Sequence, residues 1–403
     1  MQKRISIRWI DIIMFFAFLA AMNAFDKYYY FTYAMFGLLC LKKSRKITVD
    51  ILPLAMLLLL AFSWLFFAPG AAYSILGIIK TLTYFLCYLI GLSLIDDDID
   101  YYRNKTPYKV FYMLIAVIAL GLLAHYLLNW MSNASSYDGR NTVDIWTGEA
   151  RAATGQAALA CIPIGLAIAL LFTKNNKWIK FLSVATLIII LGYNLILAGR
   201  TIIVMVLVVM IAAFIFSASK GKKEAVRLLL VVLLISGALI LIYQANVLGV
   251  KSTVENSQLY ERFFETDSAM SVTEDDRMDK KLYYLANFDK AIWGGNKLRD
   301  DRAFAHDILL DTYDEGGIFA LIAMVVFLIN SVVHLVKCVK DKSLSFLFRQ
   351  IVLCVYIAVY MEFMVEPILQ GVQWLFASFC MIDGYVSRIL MYNDNLINKE
   401  TVR

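Results

Sequence analysis

The sequence predicts an all-α, polytopic membrane protein, and three observations lead to this fold class. Hydrophobic residues make up 61% of the 403 residues and charged residues only 17%, which is far more apolar than a soluble globular domain. Apolar runs of roughly 17–25 residues recur along the chain, and each is long enough to cross the ~30 Å hydrocarbon core of a bilayer as a helix. Lysine and arginine residues collect between alternate runs.

We predict about 12 transmembrane helices, which form a single bundle over residues 1–403. No signal peptide is predicted, because the first apolar run continues into a second without a small-residue cleavage site. The predicted spans are 9–25, 28–41, 51–68, 71–95, 109–129, 152–173, 181–198, 201–217, 227–247, 315–336, 346–364 and 371–391.

The distribution of basic residues predicts the orientation of these spans. With the N-terminus in the cytoplasm, every inside loop is basic, and both termini lie inside. The long polar segment 248–314, inserted between the ninth and tenth spans, then becomes an extracytoplasmic loop. The net charge of +6 follows from this orientation and gives no support to a nucleic-acid partner. The short outside loops contain only the basic residues Lys27, Arg140, Arg151 and Arg200.

Two short helices are predicted within the loop 248–314. Apolar residues recur at helical spacing in 280–293, which predicts a helix along the outer membrane surface that ends at the following Gly-Gly-Asn. A second short helix includes His306 on its apolar face and carries a stripe of aspartates beside it. Gly316-Gly317 separates this helix from the tenth span.

Arg200 interrupts a long apolar stretch, so the turn of a hairpin must fall at Gly199-Arg200. An arginine in the first turn of a helix adds its charge to the positive end of the helix dipole, and its planar guanidinium suits bidentate contact with phosphate. A snorkelling arginine that marks the membrane surface is an equally good interpretation. Anion binding therefore stays a hypothesis at this position.

Several outside residues could join Arg200 in a site. Arg277 opens the first loop helix, Arg299 and Arg302 precede His306, and Arg151 lies where the sixth span begins. Each arginine alone would ordinarily be a solvated surface charge. A neutral imidazole, with an ordinary pKa of ~6.5, can accept a proton from a sugar hydroxyl, whereas the alternative for His306 is a helix-surface histidine.

Lys80 falls well inside the fourth span. Intramembrane lysines are costly and face a bundle interior, a cavity or an anionic partner. Three interpretations of Lys80 remain open: contact with a lipid phosphate, snorkelling, and pairing within the bundle. The six cysteines show neither a disulfide framework nor metal-ligand spacing, so neither a metal nor a cofactor is predicted.

Three stretches resemble the O-antigen ligase/polymerase superfamily, most closely its Wzy-type polysaccharide polymerases. Gly199-Arg200-Thr201, which opens an apolar span, is similar to the family's arginine at a helix start. Arg277, followed by Ala291-Ile292-Trp293-Gly294-Gly295, is similar to its loop arginine before an apolar-Gly motif. His306-Asp307-x-x-Leu310 with Glu315-x-Gly317 is similar to its His-Asn-x-x-Leu and Glu-x-Gly elements. Asp307 departs from the family, which often has asparagine there.

The resemblance implies a metal-independent glycosyltransferase of the bacterial cytoplasmic (inner) membrane, acting at its extracytoplasmic face. Donor and acceptor would be undecaprenyl-diphosphate-linked glycans, as in the assembly of lipopolysaccharide O-antigen, capsule or exopolysaccharide, alongside a flippase and a chain-length regulator. From their residue types, we expect Arg200 and Arg277 to bind the diphosphate and His306 to position or deprotonate the acceptor hydroxyl. Substrate-binding roles are predicted for Arg151, Lys80, Arg299, Arg302 and Glu315.

Two other functions remain open. A ligase of the same superfamily would transfer finished glycan to a different acceptor, and the sequence contains no direct discriminator between ligase and polymerase. A flippase for lipid-linked oligosaccharides would also fit many spans with both termini inside. A transporter of this kind often shows two related halves, and the sequence shows no such symmetry.

Overall fold

The computed structural model describes residues 9–41, 49–67, 75–95, 106–133, 141–173, 176–219, 244–246, 250–255, 260 and 276–401. Within these residues the chain is almost entirely helical. Seven of the described helices are long and apolar enough to cross a membrane, and four shorter apolar helices accompany them. The protein is thus an all-α, multi-pass membrane protein. Most of the predicted ninth span, 227–247, lies outside the described residues.

The described helices of eight or more residues follow the predicted spans closely, with one extra helix in the polar loop. In chain order they are α1 (Trp9–Ala21), α2 (Tyr28–Leu41), α3 (Ile51–Phe67), α4 (Ile75–Ser93), α5 (Thr106–Asn133), α6 (Ala153–Leu171), α7 (Lys177–Leu197), α8 (Arg200–Ala218), α9 (Asp276–Ala286), α10 (Ile308–Lys340), α11 (Phe346–Phe363) and α12 (Gln373–Thr401). Short helical segments cover Ala24–Asp26, Val250–Glu255, Phe288–Ala291, Lys297–Arg302 and Ile368–Gly371.

These elements belong to two compact units. The first comprises residues 1–125, 279–344 and 363–403, and the second comprises residues 126–278 and 345–362. The prediction of one bundle stays a prediction, because two compact units can be parts of one bundle.

In the first unit, α4 packs along α12 and α3 packs along α10. The α4–α12 contact is unusually close because a glycine from each helix lies at the crossing. A Cβ on Gly91 would overlap the carbonyl oxygen of Met381, and one on Gly384 would overlap that of Tyr88. Small residues that let two backbones approach are typical of helix contacts in membranes.

In the second unit, α6 packs against α7 and α8, and nearly all of its residues are buried. Gly165 lets α6 approach the backbone of α11 at Val355. A two-stranded antiparallel hairpin, β1 (Asn141–Val143) and β2 (Ala150–Ala152), precedes α6. The sequence analysis did not predict this hairpin.

The loop before α10 differs from the prediction in two ways. The predicted helix over 280–293 is divided: α9 ends at Ala286, and a separate 3-10 turn covers Phe288–Ala291. The placement of His306 on a helix is wrong. The helix begins only at Ile308, because the Asp307 side chain caps it and leaves His306 outside.

Candidate functional site

His306 lies in a tight loop just before α10. Its backbone is left-handed, with φ of 56°, and its side chain is half-buried. The Asp311 carboxylate accepts hydrogen bonds from the amides on both sides of His306: Ala305 N donates to Oδ1 at 2.7 Å and Asp307 N to Oδ2 at 3.0 Å. The left-handed conformation costs a residue other than glycine roughly 1–2 kcal/mol, and the two hydrogen bonds that Asp311 accepts offset this cost.

Asp307 stands where the resembling family often has asparagine, and its carboxylate makes two kinds of contact. Oδ1 accepts the amides of Leu309 at 3.0 Å and Leu310 at 3.4 Å, which caps α10. Oδ2 lies 3.3 Å from Nζ of Lys281, which also donates to the carbonyl oxygen of Met364 at 2.7 Å. An asparagine could supply the cap, but only the carboxylate forms the ion pair.

The two glycine motifs of the resemblance interlock in the first unit. Gly317 leaves helical geometry, with φ of 73° and ψ of −166°, and the next amide, Ile318 N, donates to Ile292 O at 2.9 Å. A Cβ on Gly294 would overlap the Glu315 carbonyl oxygen, and one on Gly317 would crowd that of Ile292. The turn that follows the 3-10 segment therefore fits into the break of α10.

Glu315 and Arg299 occur in the same segment but make different contacts. Oε2 of Glu315 accepts a hydrogen bond from Nε2 of Gln370 at 2.6 Å. The guanidinium of Arg299 lies 4.9 Å from the centre of the Phe304 ring, which is within cation–π range. The Arg302 side chain lies outside the described part of the structure. The substrate-binding roles predicted for Glu315, Arg299 and Arg302 stay predictions.

A small apolar core supports the segment that holds His306. Phe288 stacks on the ring of Tyr313 with centroids 3.9 Å apart. The Tyr284 hydroxyl donates to Ala303 O at 2.8 Å. Burial, followed by the nearby carboxylates, raises the pKa of Tyr284, so its hydroxyl stays protonated and remains a donor. The buried members of this core are Tyr284, Ala291, Leu298, Ala305 and Tyr313.

Lys80 lies on α4, and its Nζ is 5.5 Å from the centre of the Tyr29 ring. Lys27, from the turn between α1 and α2, is 5.8 Å from the same ring. A cation–π contact stabilises an ammonium group by roughly 0.5–2 kcal/mol, depending on its exposure. Among the interpretations of Lys80 that the sequence left open, this contact favours pairing within the bundle.

In the second unit, Arg277 lies in the first turn of α9. Its Nη2 donates to Oγ1 of Thr154 at 3.1 Å, and Thr154 is a buried residue in the first turn of α6. The residue that precedes α6, Ala152, provides no side-chain cap. Arg277 therefore adds a positive charge to a helix end that already carries the positive pole of the helix dipole.

Arg151 belongs to β2 and is buried immediately before α6. Its Nε donates to Oδ2 of Asp144 at 3.0 Å, and Asp144 is also buried. Nδ2 of Asn129 is 3.4 Å from the same oxygen and 3.3 Å from Oε1 of Gln156. Gln156 in turn donates to Oγ1 of Thr142 at 2.7 Å. This buried polar network holds the hairpin, and Arg151 with it, against the start of α6.

Arg200 is the first residue of α8, as the sequence predicts. The preceding turn is held by Asn194, whose Nδ2 donates to Gly199 O at 2.9 Å. Gly199 lies beside Ala153, since a Cβ on it would be 3.6 Å from the Ala153 Cβ. No acidic residue occurs in the first turn of α8. Arg200 therefore starts its helix next to the start of α6.

The structure thus brings three of the predicted arginines to one place in the second unit. Arg151 lies two residues before α6, and the Arg277 side chain forms a hydrogen bond in its first turn. Arg200 follows Gly199, which lies beside the first residue of α6. We call Arg151, Arg200 and Arg277 the arginine cluster.

No protein-family model and no curated protein matches the chain. The resemblance stated above therefore rests on its short motifs alone.

The arginine cluster has the properties of an anion site. The guanidinium groups of Arg151 and Arg277 and the N-termini of α6 and α8 occur around residues 151–154, and Arg200 is the first residue of α8. Guanidinium groups and helix N-termini both attract phosphate oxygens. Among the described residues, no group of three or more His, Cys, Asp or Glu side chains is placed to hold a metal ion. His306, in the first unit, is the described titratable group that best suits proton transfer at neutral pH outside the apolar helices.

Sequence reasoning missed the residues that hold these side chains in place. Asp311 was assigned to an acidic stripe, yet it is buried and binds two backbone amides. Asp144 and Thr154 were not singled out at all. Their only sequence signal is that they are polar residues close to the start of an apolar span, which does not identify a partner.

Proposed function

We propose that the protein is a membrane glycosyltransferase that polymerises oligosaccharide repeat units carried on undecaprenyl diphosphate. The observation that carries the proposal is the arginine cluster at the start of α6. A diphosphate brings adjacent negative charges, which arginine side chains and helix N-termini bind well. The neighbouring helices are apolar, which suits a donor whose other part is a lipid.

The proposal includes an orientation and a location. In this proposal, the protein crosses the bacterial cytoplasmic membrane about 12 times, with both termini inside and the segment 248–314 outside. Its support is the concentration of basic residues in alternate loops. On this orientation, the arginine cluster and His306 both face the extracytoplasmic side, where a flippase would deliver repeat units and a chain-length regulator would act.

The proposed roles follow from residue type. Arg277 and Arg200 bind the diphosphate and stabilise the charge that develops on it as the bond from the donor sugar carbon to the phosphate oxygen breaks. His306 takes the proton of the acceptor hydroxyl, whose oxygen forms the new bond to that carbon. The products are the longer lipid-linked glycan, undecaprenyl diphosphate and a proton on the imidazole. Arg151 is a positioning residue in this scheme, since Asp144 binds its guanidinium.

The size distribution of lipid-linked glycan in cells tests the proposal. Wild type would be compared at equal expression with Arg277→Ala, His306→Ala and the control Lys290→Ala, which removes an exposed cation from the same outer segment. We expect single repeat units to accumulate on the outer leaflet in the first two variants and full-length polymer to form in the control.

Other outcomes would replace the proposal with one of its alternatives. Full-length polymer left on the lipid carrier would identify a ligase. Repeat units trapped on the cytoplasmic leaflet would identify a flippase. An unchanged profile in His306→Ala, together with loss of activity in Arg277→Ala, would remove His306 from the reaction and leave the arginines as the site.

A further inference from the structure

A second group of ionisable side chains lies in the first unit, at the opposite end of α10 from His306. His334 of α10 is nearly buried, and each of its ring nitrogens faces a carboxylate. Nδ1 is 3.1 Å from Oδ1 of Asp383 on α12, and Nε2 is 3.4 Å from Oδ2 of Asp50, just before α3. The proposed reaction uses none of these residues.

Two hydroxyl groups complete the cluster. Oδ2 of Asp50 accepts hydrogen bonds from the hydroxyl of Tyr88 on α4 at 3.0 Å and from that of Ser387 on α12 at 2.7 Å. The side chains around His334 therefore come from α4, α10, α12 and the residue before α3. These are the helices whose packing forms the first unit. His334 and Asp383 are buried, and ionisable side chains buried in a membrane protein are costly and often mark functional sites.

The geometry of the ring determines how many protons the cluster needs. A neutral imidazole has one N–H donor and one bare nitrogen. If both carboxylates were ionised, the bare nitrogen would face a carboxylate oxygen with no hydrogen between them. Both contacts of His334 become hydrogen bonds only when one further proton is present, on the ring or on a carboxyl group.

We propose that Asp50, His334 and Asp383 form a proton-binding site that, at neutral pH, holds one proton more than a neutral imidazole and two carboxylates. Each carboxylate forms an ion pair with one ring nitrogen of His334, and among the described residues the titratable Tyr88 also contacts Asp50. The Asp50 side chain is 20% exposed and that of Asp383 is 0% exposed, so protons enter through Asp50. This end of the unit faces the cytoplasm in the predicted orientation.

One alternative arrangement uses Asn330, whose Nδ2 is 3.2 Å from Nε2 of His334. A neutral imidazole could donate from Nδ1 to Asp383 and accept at Nε2 from this amide. The contact with Asp50 would then carry no proton, and both carboxylates would be ionised. The two arrangements differ by one proton, which can be measured.

The deciding experiment is nitrogen-15 NMR of histidine-labelled, full-length protein in lipid vesicles, combined with infrared spectroscopy of carbon-13 aspartate. The chain has three histidines, so His334→Gln assigns the His334 resonances. If that variant does not fold, His125→Gln and His306→Gln assign them by elimination. We expect either a doubly protonated His334 at neutral pH or a neutral His334 together with a protonated aspartate signal that one of the two variants, Asp383→Asn or Asp50→Asn, removes.

A neutral His334 with every aspartate of the cluster ionised at neutral pH would overturn the proposal in favour of the Asn330 arrangement. A second readout is the thermal midpoint as pH rises into the alkaline range. Stability that depends on the additional proton is present at lower pH and is lost as that proton leaves. The wild-type midpoint should therefore fall with rising pH more than that of His334→Gln, and equal slopes would contradict the site.

Discussion

Replacing Asp311 by asparagine tests how the structure holds His306. The carboxylate accepts the amides of Ala305 and Asp307 at 2.7 and 3.0 Å, and it is buried. Asparagine has nearly the same shape, but one of its two terminal atoms is an NH₂ group. That group is a donor, so it cannot accept from either amide.

The size of the effect follows from these two bonds. A hydrogen bond to a charged group contributes about 1.5–3 kcal/mol, and a neutral one contributes about 1 kcal/mol. Burial raises the pKa of Asp311 to about 7, so the comparison is made above that pH. There, two bonds to the ionised carboxylate contribute about 3–6 kcal/mol, of which asparagine keeps about 1 kcal/mol. The loop should lose about 2–5 kcal/mol of local stability. Because about 1.4 kcal/mol corresponds to a factor of ten, opening should become roughly 30-fold more frequent or more.

Amide hydrogen exchange in the full-length protein measures this opening residue by residue. We expect exchange at Ala305 and Asp307 to accelerate by at least about 30-fold in Asp311→Asn. The left-handed backbone of His306 should relax at the same time, and glycan chains should shorten if His306 acts as proposed. Unchanged exchange at both amides would refute the assignment of Asp311 as the residue that holds the loop, whatever the glycans show.

The chain contains a matched control for this experiment. Asp314 accepts the amides of Leu298 at 2.7 Å and Arg299 at 3.0 Å, so it holds a different turn by the same two-bond geometry. Asp314→Asn should accelerate exchange at those two amides and leave Ala305 and Asp307 unchanged. Faster exchange at both pairs of amides in both variants would indicate general unfolding of the segment.

Three further predictions concern stability. Gly91→Ala should lower the free energy of unfolding by about 1–3 kcal/mol or more through overpacking. Gly37→Ala, whose added Cβ would have nothing near it, should leave this free energy unchanged or raise it, and thermal unfolding in detergent compares the two variants. Asp144→Asn should lower the free energy of unfolding by about 3–5 kcal/mol because it removes the ion pair that Asp144 forms with the buried Arg151, and adding Arg151→Gln should recover part of this loss. Burial would raise the pKa of Asp50, but the hydrogen bonds it accepts outweigh burial and hold this pKa below the ordinary 3.8. The stability it contributes is therefore present above pH 3.8 and lost as pH falls further, and acid titration of Asp50→Asn should lack this loss.

Sequence reasoning performed best where a property is local. The apolar helices occupy the predicted positions because about 20 consecutive apolar residues are enough to define a membrane helix. Arg200 was correctly placed at the start of a helix because it is the only charged residue in its apolar stretch, 181–216. The break in helical structure at Gly294-Gly295 was also predicted, and both residues have positive φ, although the helix itself ends earlier, at Ala286.

Sequence reasoning failed where a side chain competes for backbone groups. The apolar spacing around His306 indicated a helix, but the Asp307 side chain caps α10 one residue later. Asp311 then takes the flanking amides. The pattern shows which residues share a face, and it does not show which carboxylate will bind which amide. The division of the predicted 280–293 helix at Asn287 has the same origin, since Phe288 leaves the helix to stack on Tyr313.

The sequence by itself determined the class of protein, the positions of most spans and the residue types available for binding an anion. Only the tertiary structure decided which of these residues meet. Arg277 and Thr154 are 123 positions apart in the chain, and His334 reaches both Asp50 and Asp383. The physical reason is that a membrane span depends on the apolarity of one continuous segment, whereas a site depends on which helices pack together, and no single segment contains that information.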